Sequence, residues 1–260
     1  KLIKFEVNMV NLSKYVEIIC KILMIVDDYS YNYSLYEESI ISTIIFGWSI
    51  FGILSIGHDL LHRPNKRINR ILAFYCLDMI LFNSKEWIRL HNKVHHGNLK
   101  GDNDIMQLTG NNIIDEWTTL INSHVLRTQG KKSNHIYRIP FYIMLYHLRL
   151  YQVMLVYITI FFCLAYFTYA THNCSIASDY PKGSIEHNLN NTWDIYPESW
   201  LCSLIFGGIN AHATHHCYPM SGRGEYKSKS KILANKYPKY YRSINNLNDL
   251  YKLYSNRFNY

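Results

Sequence analysis

The sequence predicts an all-α fold, a multi-pass helical membrane protein whose polar segments form a helical cap on the cytosolic side. Three observations carry this. Residues 39–57 are nineteen in number and hold no charge, enough for a helix to cross about 30 Å of hydrocarbon. Residues 140–170 form a second long apolar run, interrupted by His147 and Arg149. Eight of the thirteen histidines fall in three compact boxes, each beside an apolar segment. The boxes are His58 and His62 in GHDLLH, His91, His95 and His96 in HNKVHH, and His212, His215 and His216 in HATHH.

Taken in order, residues 1–38 mix apolar and charged positions. The apolar stretch 15–26 contains Glu17 and Lys21 and is too short to span, so an interfacial or truncated helix is expected there. Residues 39–57 are a membrane helix that runs straight into His58. Pro64 and Asn65 mark a break. Residues 71–82 are apolar but short and include Asp78, which places them at the interface or in the core. Residues 97–139 are polar and expected to be cytosolic. The run 141–170 would be about 45 Å long as one helix, long for one span and short for two. All three boxes must lie on one side of the membrane to share a centre, so the chain crosses an even number of times between His96 and His212. A tight hairpin at 147–149 satisfies this, and so does a second span built from 200–211. Three segments follow: an N-terminal one (1–38), a membrane domain (39–220) and a basic cytosolic tail (221–260).

The composition narrows the function. Net charge is +8 and the basic residues crowd the stretch after Met220. A basic segment that follows apolar spans anchors a chain at the cytoplasmic membrane face, which is favoured over nucleic-acid binding. The six cysteines are scattered without a CxxC pair, so a reducing compartment is expected. No cleavable signal pattern is visible.

The boxes carry the chemistry. His212, His215 and His216 are spaced i, i+3 and i+4, one face of a helix. Zinc takes three or four protein ligands, so eight histidines suit two metals rather than one. Carboxylate-bridged di-iron bundles show ExxH pairs, and none occurs in the boxes. An all-histidine di-iron site at a membrane face remains, able to activate dioxygen and take hydrogen from an unactivated C–H bond. Ligating imidazoles need a partner for the other ring nitrogen. Asp59 inside the first box is a natural one, and Asp102, Asp104, Glu186, Asp194 and Glu198 are further candidates. His124, His135 and His147 are read as structural or surface residues.

From about residue 47 to 220 the chain resembles the membrane fatty acid desaturase family. GGINAHATHHCYP resembles the family's GGLNxxxEHHLFP block, with His212 where some relatives carry Gln and Thr214 in place of Glu. GHDLLH resembles the first box. WIRLHNKVHHGNLKGDNDI resembles the second, with Trp87, His91, Asn92, His95, His96 and Asp104 at matching positions. YATHN resembles a block that supplies one more ligand, which would be His172. GSIEHNLNNTWDI resembles the WxxHQxxTTxN region and makes His187 and Asn188 candidate active-site neighbours. Both apolar hairpins of the family are short here, and its Thr and Asn after the second box are not kept.

The resemblance implies two iron ions held by the box histidines and His172 on the cytosolic side of the endoplasmic reticulum membrane. It implies an acyl-CoA or acyl-lipid substrate in a narrow tunnel and a double bond made with dioxygen and two electrons. These 260 residues contain no haem-binding HPGG stretch, so an external cytochrome b5 or ferredoxin would supply the electrons. The same boxes also serve lipid or carotenoid hydroxylases and ketolases, and a non-catalytic member of the family would keep them too.

Overall fold

The computed structural model describes residues 39–62, 67–78, 83–99, 104, 114, 118, 138–172 and 180–257. The expectations for 1–38 and for most of 97–139, including His124 and His135, lie outside these residues.

The fold is mostly helical. Its elements are α1 (Ile40–Leu61), α2 (Arg67–Asp78), α3 (Ser84–Trp87) continuing as a π-helix (Ile88–His95), α4 (Ile139–His147) and α5 (Leu150–Thr171). There follow α6 (Ile185–Asn191), β1 (Asp194–Ile195), α7 (Trp200–Ile205), α8 (His212–Cys217), α9 (Arg223–Lys236), β2 (Ser243–Ile244) and α10 (Leu247–Arg257). Beside the helices, the described residues hold a two-residue parallel pair, with Asp194 opposite Ser243, and an isolated bridge between His172 and Thr192.

Ser39 starts α1 by accepting from the Ser42 amide at 3.4 Å, the usual way a hydroxyl satisfies an orphan N–H of the first turn. The helix does not stop at Gly57. It runs on through His58 to Leu61, with His62 as its C-cap, so the first box is the last turn of the helix itself. The run after Pro140 does break at 148–149: Leu148 caps α4 in an extended conformation, and Gln152 restarts the chain by accepting from the Arg149 amide at 2.9 Å.

α1 and Leu150–Thr168 of α5 are each long and apolar enough to cross a membrane. They pack together through Phe46, Ile50 and Leu54 on one side and Val153, Val156 and Ile160 on the other. Gly47 permits the approach, because a Cβ there would lie 2.9 Å from Thr159 Cβ. Outward, α5 presents Leu150, Met154, Ile158 and Phe162, all exposed and spaced i, i+4. α7 covers only six residues of the apolar stretch 200–211, far short of a span. The segment after Met220 folds back, and Leu233 of α9 packs with Leu189 and Ala213 in a small core apart from the main one.

Candidate metal centre

The three boxes and His172 meet. The ring nitrogens of His58, His62, His91, His96 and His215 lie within 4.8 Å of one another, and so do those of His95, His172, His212 and His216. These are all nine histidines expected as ligands. Only the first box stays in one group, and boxes two and three each feed both.

Local winding explains the division. His91 and His96 are five residues apart, and in an α-helix they would point about 140° apart. The π-helix closes its turn with the His96 amide on the His91 carbonyl at 3.0 Å. That brings the two Nε2 atoms within 3.1 Å and sends His95 to the other group. In α8, His212 and His216 sit one turn apart with Nε2 atoms 3.1 Å from each other. His215 turns instead toward His96, 3.2 Å away. His62 caps α1 and His172 caps α5.

The four-histidine group is a closed ring of Nε2 atoms. His95 to His216 is 3.2 Å, His216 to His212 3.1 Å, His212 to His172 3.2 Å and His172 to His95 3.4 Å. Four nitrogens about 2.1 Å from one centre lie about 3.0–3.4 Å apart, so the spacing fits a metal. Proton bookkeeping points the same way. A neutral imidazole carries one N–H. His95 gives its Nδ1 proton to Asp104 Oδ1 at 2.8 Å, and His172 gives its own to the Thr168 carbonyl at 3.0 Å. Both Nε2 atoms then hold lone pairs that face each other across 3.4 Å. No hydrogen bond can join them, whereas a cation between them satisfies both.

In the five-histidine group His58 and His91 approach to 2.6 Å. Trp87 stacks flat on His91, 4.9 Å between centroids and 8° between planes. Burial first, and neighbouring imidazoles second, hold His91, His96, His212, His215 and His216 well below the ordinary histidine value. His62 is pushed down to about 3, chiefly by burial. Neutral imidazoles are what a metal requires.

The supporting residues differ in part from expectation. Asp104 is the direct partner of His95. Asp59 meets Tyr226 of α9, which in turn meets His215. His187 donates to the Leu99 carbonyl at 3.2 Å, and Asn188 donates to the His216 carbonyl at 3.1 Å. They tie the backbones of boxes two and three together and stand outside both nitrogen groups. Thr214, at the position of the family's Glu, gives its amide and hydroxyl to Asp194 at 3.1 and 2.6 Å. Burial pushes Asp194 up to about 6 against those bonds. His147, at the end of α4, is exposed and apart from the site.

Compared with known proteins, the chain matches the fatty acid desaturase family model over residues 39–132 and 135–248. That reaches past the end at 220 expected from the motifs and takes in α9. No curated protein matches the chain.

Proposed function

The chain belongs to the fatty acid desaturase family, and from that premise we propose that it is a di-iron acyl-chain desaturase of the membrane. The observation that carries this is the pair of histidine groups, of five and four ring nitrogens. Each would hold one iron, through His58, His62, His91, His96 and His215 in one case and His95, His172, His212 and His216 in the other. When bound, the iron pair supplies dioxygen activation and abstraction of hydrogen from an unactivated C–H bond. Overall, a CH2–CH2 unit loses two hydrogens as C=C forms. Dioxygen takes two electrons from the substrate and two from an external donor, and with two further protons leaves as two waters. Cytochrome b5 or a ferredoxin is the donor proposed.

The chain's own residues set the conditions. Asp104 and the Thr168 carbonyl keep His95 and His172 as Nε2 donors. Burial of His95, His212, His215 and His216 keeps bulk water from the reacting centre. The exposed stripe of α5 and the exposed Ile40, Ile41, Ile44 and Ile45 of α1 suit lipid contact. Both helices are proposed as spans, and the family resemblance is what supports histidines on the cytosolic face of the endoplasmic reticulum membrane and an acyl-CoA or acyl-lipid substrate.

The test is to purify the chain in detergent, measure iron and zinc, and profile the lipids of a host that expresses it. Two irons per chain together with a new double bond is the expected result. A folded chain that takes no iron, or one tightly held zinc, would refute the proposal, and a hydroxylated product would replace desaturation with hydroxylation.

A further inference from the structure

Tyr226 belongs to none of the histidine motifs. It sits in the first turn of α9, within the stretch expected to be a tail, and is 3% exposed. Its hydroxyl lies 2.9 Å from Nδ1 of His215 and 3.2 Å from Oδ1 of Asp59. Arg223 Nε stands 3.6 Å from the other oxygen of Asp59, and the same guanidinium donates to the Ser55 carbonyl. Two side chains of α9 are thus clamped on the last turns of α1.

The protons of this chain of groups can be assigned. A phenol has one proton, and an ionised carboxylate only accepts. Tyr226 therefore donates to Asp59 and offers its lone pairs to His215. His215 must carry its proton on Nδ1, which leaves the lone pair on Nε2, 3.2 Å from Nε2 of His96. In the same group the Nδ1 atoms of His58, His91 and His96 are buried with no hydrogen-bond partner among the described residues. His215 has a side-chain partner that sets its tautomer.

We propose that Tyr226, backed by Asp59, is a positioning residue that fixes His215 as an Nε2 ligand and so governs how tightly the five-histidine group holds its metal. This rests on the two groups being the iron site. It gives the segment after Met220 a part in the centre, beyond membrane anchoring.

Tyr226→Phe keeps the ring and removes only the hydroxyl. It is compared with wild type and Thr214→Val by iron content, rate of iron loss to a chelator, melting of the metal-free protein, and Mössbauer spectra of enriched iron. Tyr226→Phe is expected to stay folded when metal-free, melting somewhat below wild type because two buried bonds are lost, and to weaken one of two irons about 10- to 100-fold. One quadrupole doublet changes and the other stays. Thr214→Val loosens α8, which serves both groups, and is expected to disturb both doublets. Tyr226→Phe that holds both irons as tightly as wild type, or disturbs both doublets as Thr214→Val does, overturns the proposal. Wild type without iron overturns the iron reading as well, so the two failures are told apart.

Discussion

At the scale of single residues, the decisive quantity is where each imidazole keeps its proton. Asp104 holds the Nδ1 proton of His95 with both side chains buried. Asp104→Asn can turn an amide N–H toward that nitrogen and push the proton to Nε2, where the metal lone pair should be. We expect Asp104→Asn to cost about 10- to 100-fold in iron affinity, read by iron loss to a chelator, and unchanged retention would contradict the assignment. His95→Ala removes the ligand itself and is expected to abolish desaturation while the chain still inserts in membranes. Full turnover in that variant would remove His95 from the site. The sequence showed this scale unevenly. Eight histidines are legible because the three boxes repeat one residue type at short spacing, and His172, alone in YATHN, is legible only through the resemblance of that block to the family's. Asp104 was one acidic candidate among several. Tyr226 had no signal, being one of 23 tyrosines at a distance of 167 positions from its partner Asp59.

At the scale of elements, helix winding decides which histidines fall in the same nitrogen group. Apolar runs disclosed α1 and α5, because a long charge-free stretch has few alternatives. The π-helix was not legible, since an HxxxHH spacing is compatible with α winding and only the fold around it selects i→i+5 bonding. The turn from α7 into α8 is the other element that must be held. Gly207 has φ of 57°, a conformation in which a side chain is strained. A Cβ there would lie 2.8 Å from Ser55 Cβ and 3.1 Å from the Gly52 backbone, both in α1. Gly207→Ala is expected to destabilise the protein by more than about 1 kcal/mol and to displace α8 from α1. A melting temperature and iron content equal to wild type would show that this contact is not needed.

At the scale of the whole molecule, α1 and α5 both deliver their C-terminal ends to the histidines, with His62 and His172 as caps. Helix C-termini carry partial negative charge, which favours cations there. The same arrangement makes the two proposed spans parallel, so the chain must return between them. α4, nine residues long and about 13 Å, covers less than half of that path. The cap they support keeps many imidazoles neutral in its interior, and this has a pH consequence. His62, His91, His96, His212, His215 and His216 are all held below the ordinary histidine value, burial being the first cause. Below about pH 6.5 the unfolded chain takes up protons on these groups while the folded chain does not. Stability is therefore fully present above that pH and falls as the pH drops, by about 1.4 kcal/mol per pH unit for each such group. With six acting together, the metal-free protein is expected to unfold steeply within about one or two pH units below 6.5. Bound iron competes with protons for the same lone pairs, so the holoprotein should hold to lower pH and release iron and structure together. Far-UV circular dichroism and iron release, followed on one acid titration of both forms, check this. A metal-free protein that stays folded to pH 4 would mean that these imidazoles accept protons in the folded state and are not the buried neutral set described.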